Sequence, residues 1–265
     1  MKYAIFIYGQ FRTFEKNLEH NLKEIYNSII ENNLVDIFIL TDTGGNYSDD
    51  NANKIKKIFE QYNCNVKFIK LWEEQYKFHL KEMKTSTNYI DLCKEKKGYH
   101  IFTANLWYRR YVTNILVNNF CNEHNINYDL HMFMRLFDIR IDKNNNDIFI
   151  KNNIEKCLKE EILLMSIDTI FIGKKNIIDY IFSFGENFNI YNENIWNNEK
   201  FTKIYNNIDY CLNMIKPTYC SEVQIFSHIF FSSIKYQNIR YDYNNPNNIE
   251  NINTLFHVKL CNDRK

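Results

Sequence analysis

The stretch of sequence that decides the fold is the apolar run Tyr3-Ala-Ile-Phe-Ile-Tyr8, which stops at Gly9. A short apolar run that ends at a glycine predicts a strand buried on both faces of a sheet. The run is too short for the core of a signal peptide, and a membrane-spanning helix needs roughly 20 apolar residues. We therefore expect no membrane insertion and, from the cysteine usage described below, a cytoplasmic location.

The pattern repeats after this strand. A helical spacing of apolar residues covers 14–30, a second buried strand is predicted at 35–40, a lysine-rich amphipathic helix at 52–62 and a third strand at 65–70. Strands that alternate with helices predict a parallel sheet with helices on both faces. The fold class expected is therefore α/β, with a mostly parallel central sheet.

The remainder of the chain continues in the same way. Helices are predicted at 104–119, 176–184 and 221–234, and strands at 130–135 and 168–173. The apolar residues 148–150 follow an Asn-rich turn and are predicted to pair back as a short strand. Because the sequence contains neither an internal repeat nor a linker, we expect a single domain.

Composition limits the function classes. The chain has 265 residues, 33 Lys and Arg against 32 Asp and Glu, and a net charge of +1, so the basic excess of a dedicated nucleic-acid binder is missing. The seven cysteines form no C-x-x-C pair, which favours reduced thiols that fill the core. The spacing of the histidines gives no zinc motif.

Residue usage is biased in a way that makes arginine informative. The chain has 41 Asn but only 6 Gly and 2 Pro, and 26 Lys but only seven Arg. We interpret the bias as that of an AT-rich genome. Where lysine would serve, this chain has lysine, so each arginine is a candidate for a role that needs a planar fork of donors.

The first candidate site follows the first strand. Ligands of open α/β sheets bind outside the carboxyl ends of the strands, and Gly9-Gln10-Phe-Arg12 lies at such an end. The glycine permits close approach of the backbone, and Arg12 can donate two parallel hydrogen bonds to a diphosphate. The alternative is an ordinary strand-to-helix turn in which Thr13 caps the helix. Neither G-x-G-x-x-G nor a P-loop occurs in the chain.

Two further strand ends carry polar residues. Asp42 follows the second strand, where it could contact a ribose or base edge or could simply form a turn. After the strand that ends near Arg135, an extended backbone would place Asp138, Arg140 and Asp142 on one face. Carboxylates beside arginine suit a divalent cation and a diphosphate; the alternative is an ion-pair ladder on an edge strand.

Several stretches, in this order and spacing, resemble motifs of a diverse group of viral and bacterial glycosyltransferase-like proteins that open with a strand and a Gly-Gln-x-Arg loop. The stretches are 5–14, 35–42, 106–112, 128–138, 168–173 and 221–224.

The resemblance implies a GT-A-like fold that binds a nucleotide-diphosphate sugar. Residues 1–265 would form one domain, with a nucleotide-sugar half at about 1–142 and an acceptor-side half at 143–265. Gly9, Gln10 and Arg12 would hold the diphosphate, and Asp42 and Arg109 would also contact the donor.

The acidic motif implied by the resemblance falls on Asp138, with Asp142 as a second ligand of Mn²⁺ or Mg²⁺. The sequence here is Asp-x-Arg-x-Asp rather than Asp-x-Asp. Arg135 or Arg140 could therefore stabilise the leaving diphosphate without a metal, since charge develops there in the transition state.

The predicted reaction is transfer of a sugar from this donor to a glycan or another hydroxyl acceptor. A general base must reach the acceptor hydroxyl, and Asp168 and Glu222 are the candidates. The alternatives for these two residues are a turn next to a strand and an acidic residue in the first turn of a helix. Two other functions stay open: nucleotidyl transfer, and a catalytically degenerate module that only binds nucleotide-sugars. A surface for partner proteins is a third.

Overall fold

A computed structural model describes residues 1–42, 46–72, 99–137, 139–142, 147–166, 170–185, 234, 236–238 and 257–260. Within these ranges the helices are α1 to α5, at Phe14–Ile25, Asp49–Gln61, Tyr99–His124, Asp147–Glu160 and Lys175–Ser183. The strands are β1 to β9, at Lys2–Tyr8, Leu34–Thr41, Cys64–Leu71, Leu130–Met134, Ile139–Asp142, Leu163–Ser166, Ile170–Gly173, Tyr236–Asn238 and His257–Leu260.

Seven of these strands form one sheet in the order β3-β2-β1-β4-β7-β6-β8. Strands β3, β2, β1 and β4 are mutually parallel, β7 is antiparallel to both of its neighbours, and β6 pairs in parallel with β8. The fold is therefore α/β with a mostly parallel mixed sheet, as the sequence predicts. Strands β5 and β9 form a separate antiparallel pair.

The opening run forms the middle of this sheet. Strand β1 is paired on both sides, with Phe6 opposite Phe38 of β2 and Phe133 of β4. A strand in this position has no solvent-facing side, which explains why its sequence is apolar throughout rather than alternating.

Helices cover both faces. On one face, Ile5 of β1 and Ile37 of β2 belong to a core that includes Leu18 of α1, Phe59 of α2 and Ile154 of α4. On the other face, the Phe38 ring meets the Phe120 ring of α3 with their centres 5.4 Å apart. The predicted burial of β1 and β2 on both faces is thus confirmed.

The chain divides into two compact units, each assembled from segments that are distant in sequence. One unit comprises Met1–Trp72, Leu116–Ile178 and Lys235–Lys265, and the other comprises Glu73–Ile115 and Asp179–Ile234. Helix α3 contributes to both units. The predicted boundary near residue 142 falls inside the first unit; the single-domain organisation and its two halves stay predictions.

One predicted strand is wrong. Residues 148–150 lie in helix α4, which runs from Asp147 to Glu160. The apolar run is continued by Ile154 and Cys157, both buried, at the spacing of one helical face. Strand β6 was not predicted at all. The predicted helix at 221–234 lies outside the described residues except for its last position.

Three cysteines of the described residues, Cys64, Cys121 and Cys157, are free and buried. This confirms for these three the predicted use of cysteine as core filler. Burial raises the pKa of the Cys157 thiol to about 12, so it stays protonated at neutral pH. No helix among the described residues combines the length and the apolar character needed to cross a membrane.

Candidate functional site

The strand order reverses its direction at one defined place in the sheet. From β1 the chain moves outward through β2 to β3, and β4 then returns to the opposite side of β1. Ligands of open α/β sheets bind at such a reversal, outside the carboxyl ends of the strands. Gly9 follows β1 and Arg135 follows β4, so two of the predicted site residues flank the reversal.

Gly9 has a backbone conformation that suits glycine. Its φ is 158°, and an added Cβ would meet no heavy atom within 4 Å among the described residues. Its N–H donates to the carbonyl of Leu40 at 3.3 Å, which ties the end of β1 to the end of β2. The backbone at Gly9 is thus fixed in place, and none of the described residues fills the space beside its Cα.

The loops after β1 and β2 meet at the same edge. The side-chain amide of Gln10 donates to the carboxylate of Asp42 across 3.4 Å, a long hydrogen bond. Both side chains are half-buried. Gly9 and Gln10 belong to one stretch of sequence and Asp42 to another, and both stretches were predicted to contact one ligand. The structure brings these three residues together.

The side chain of Thr13 does not cap helix α1, although the alternative interpretation of this turn required it to. It occupies the N-cap position of α1, but its side chain makes no capping hydrogen bond. The hydroxyl instead donates to the carbonyl of Phe137 at 2.6 Å. The turn after β1 is therefore connected to the segment that follows β4.

Two asparagines of α1 extend this connection, and the sequence analysis missed both. Asn17 donates to the same carbonyl of Phe137 at 2.9 Å. Asn21 donates to the carbonyl of Leu136 at 2.8 Å and accepts from the N–H of Ile141 at 2.7 Å. Both asparagines are buried. The signal in the sequence is a polar residue at every fourth position, 13, 17 and 21, directly beside the apolar face of the helix.

Apart from Arg109, the remaining predicted residues are placed in part. The backbones of Arg12, Arg140 and Asp142 are described but their side chains are not. Residues 139–142 form strand β5, so this part of the segment has the extended backbone that the alternation argument required. Asp138, Asp168 and Glu222 lie outside the described residues.

Arg109 belongs to the second unit. It is half-buried, and its carbonyl accepts a hydrogen bond from the Thr113 hydroxyl at 2.7 Å. The neighbouring Arg110 is fully buried, with its guanidinium 4.2 Å from the centre of the Trp107 ring. Arg110 therefore packs on an aromatic ring in the core of this unit.

A buried carboxylate lies near the opposite, amino-terminal edge of the sheet. Asp36 of β2 accepts from the Tyr128 hydroxyl at 2.6 Å, and Nζ of Lys67 lies 3.3 Å from its other oxygen. Burial, and then the bond to Asp36, raises the pKa of Tyr128, which keeps the phenol protonated as the donor. This group connects strands and is remote in the fold from the carboxyl-end loops.

Among the described residues, no three His, Cys, Asp or Glu side chains are grouped as metal ligands. The side chains of the two predicted ligands, Asp138 and Asp142, lie outside the part of the chain that the structure describes. By chemistry they fit a hard cation, since two carboxylates together with substrate phosphates are a usual ligand set for Mg²⁺ or Mn²⁺. The divalent cation stays a prediction.

Comparison of the chain with protein-family models and with curated proteins finds no match in either.

Proposed function

We propose that this protein is a GT-A-like glycosyltransferase that transfers a sugar from a nucleotide-diphosphate donor to a hydroxyl of a glycan or another acceptor. The observation that carries the proposal is the meeting of Gly9, Gln10 and Asp42 beside the strand reversal between β1 and β4. That position in an α/β sheet is where nucleotides bind.

The diphosphate is assigned to the turn after β1. The open space at Gly9 admits a phosphate to the backbone, and helix α1 begins immediately after this turn. The amino end of a helix carries partial positive charge and favours an anion. Gln10 and Arg12 supply further donors, and Asp42 is assigned to a hydroxyl of the ribose or to the base edge.

The leaving group is assigned to the segment after β4. Arg135 and Arg140 offset the charge that develops on the diphosphate as the glycosidic bond breaks. Asp138 and Asp142 would hold a divalent cation, which when bound supplies positive charge to the same phosphates. Asp168 or Glu222 takes the proton of the acceptor hydroxyl, and Arg109 contributes to donor binding.

The proposal is tested by binding. A nucleoside diphosphate at a hundred times its Kd stabilises the folded state by about 2.7 kcal/mol, which raises the melting temperature by a few degrees. UDP, GDP, dTDP and CDP are tested one at a time, with and without Mn²⁺. The Gln10→Ala variant should lose most of the shift, while Gln61→Ala, at an exposed glutamine of α2, should keep it.

Absence of a shift with all four nucleotides in the wild-type protein would contradict the proposal. An equal shift in the Gln10→Ala and wild-type proteins would leave binding intact but remove the turn after β1 from the site.

A further inference from the structure

Helix α1 carries a row of polar side chains that all contact one segment of backbone. Thr13, Asn17 and Asn21 are spaced by four residues and so lie on one side of the helix. Their partners are the backbone groups of Leu136, Phe137 and Ile141, four bonds of 2.6 to 2.9 Å.

A fifth contact completes the row. Nε2 of His20 lies 2.9 Å from the carbonyl oxygen of Ile141. A carbonyl oxygen can only accept, so this hydrogen bond requires the proton of the imidazole to be on Nε2. Both the N–H and the C=O of Ile141 are thus held by α1, and Ile141 itself is fully buried.

The chemistry of the row is unusual for the inner side of an amphipathic helix. Buried asparagine amides cost free energy unless they are hydrogen-bonded, and leucine would fill the same space without that requirement. The carbonyl of Phe137 accepts from both Thr13 and Asn17, which uses both of its lone pairs. Directional bonds of this kind fix the backbone of Leu136, Phe137 and Ile141 in one register on the helix, which apolar packing alone does not.

The two ends of the Thr13 bond lie next to the residues that matter for the proposed chemistry. Thr13 directly follows Arg12 in the turn after β1, and Phe137 directly precedes Asp138. One bond of 2.6 Å therefore joins the proposed diphosphate turn to the proposed acidic segment, at one residue from each.

We propose that Thr13, Asn17 and Asn21 are positioning residues that hold the segment carrying Asp138 and Arg140 in register with the donor-phosphate turn. This inference rests on the proposed function, and it assigns to α1 the coupling of the two parts of the site. Because these side chains act through the backbone of 136–141, they are not catalytic residues.

The test uses two variants that lack the hydroxyl, Thr13→Val and Thr13→Ala, and one that retains it, Thr13→Ser. Valine matches the shape of threonine, and Thr13 is only half-buried, so folding should be preserved. Hydrogen exchange of the amides at 138–141 is measured together with kcat and KM for hydrolysis or transfer of the nucleotide-sugar.

Loss of the hydroxyl should speed exchange at 138–141 by about tenfold, the equivalent of one hydrogen bond. It should lower kcat by about tenfold to a hundredfold, with little change in the KM for the donor, because Gly9, Gln10 and Arg12, which are proposed to bind the diphosphate, are unaltered. Thr13→Ser should behave like the wild-type protein in both measurements.

Two results would overturn the inference: unchanged exchange at 138–141 in Thr13→Val and Thr13→Ala, or faster exchange with kcat per folded molecule within about twofold of Thr13→Ser. The second result assigns the row a purely structural role. If the wild-type protein turns over no nucleotide-sugar, the proposed function fails first and the positioning role fails with it. The exchange data would then still show whether the Thr13 bond holds the segment.

Discussion

Asparagine has structural roles here that its frequency alone does not reveal. Of the asparagines in the described part of the chain, three have a positive φ: Asn46 at 67°, Asn63 at 57° and Asn125 at 52°. Left-handed backbone is usually given to glycine, and asparagine is the side chain that tolerates it best. In a chain with only 6 glycines, asparagine fills these positions.

Asn125 is the cleanest example. It follows the last residue of α3, where its N–H donates to the carbonyl of Asn122 at 3.3 Å and the N–H of Ile126 donates to that of Cys121 at 2.9 Å. These two bonds are those of a Schellman cap. The side chain of Asn125 is exposed, so its conformation rather than its contacts decides which residue fits.

We predict that Asn125→Ala lowers the free energy of unfolding by roughly 1 kcal/mol, because alanine pays the full steric cost of left-handed backbone. Asn125→Gly should be as stable as the wild-type protein or slightly more stable. Urea unfolding of the three proteins measures the difference. Equal stability of the alanine and glycine variants would show that the cap does not depend on the left-handed conformation.

The roles of Asn17 and Asn21 could not be predicted from the sequence. We interpreted the asparagine excess as genome bias. A count of asparagines does not distinguish the buried Asn17 and Asn21 from exposed asparagines. Their burial depends on what α1 packs against, which is a backbone segment more than 100 positions away in sequence. The spacing of 13, 17 and 21 was visible, but its partner was not.

At the scale of elements, the short strands and their helices are joined by a few buried polar contacts. Asp36 of β2, Lys67 of β3 and Tyr128, which lies just before β4, form one such group. The side chain of Asp36 is only 3% exposed, whereas that of Lys67 is 30% exposed. The Tyr128–Asp36 bond is therefore the better shielded of the two contacts.

A double-mutant cycle tests this group. Removal of either partner alone leaves a buried polar group without its bond, so Asp36→Ala and Tyr128→Phe should each destabilise the protein. Removal of both should cost less than the sum, with a coupling free energy of about 1.5 kcal/mol or more, the range for a hydrogen bond to a charged group. Urea unfolding supplies the four values; additive losses would show that the bond contributes nothing.

Elements with long, periodic patterns were predictable and short ones were not. The pattern of α2 predicted its helix because Ile55 and Phe59 repeat at helical spacing. The helix begins at Asp49, three residues before the predicted start, because Ser48 caps it by accepting from the N–H of Asn51 at 3.1 Å. Residues 148–150 were misassigned because three apolar residues fit both a strand and a helix. The burial of Cys157, further along the same helical face, distinguishes the helix from the strand.

At the scale of the whole molecule, the sequence predicted a parallel sheet but could not order its strands. The βαβ alternation implies parallel neighbours, yet the return of β4 to the far side of β1 depends on packing between distant segments. That return is what places Gly9 and Arg135 at the ends of neighbouring strands. The sequence motifs suggested which residues form the proposed site. The strand order explains why two of them, Gly9 and Arg135, follow strands that pair with each other.

The measurement that tests the central claim most directly is product analysis. The wild-type protein is incubated with a nucleotide-diphosphate sugar and Mn²⁺, and the released products are identified by chromatography and mass spectrometry. We predict free nucleoside diphosphate and free or transferred sugar, lost in Asp138→Ala and retained in Asp50→Ala, which alters an exposed aspartate at the start of α2. Release of pyrophosphate would identify nucleotidyl transfer instead, and no release from any donor would contradict glycosyl transfer.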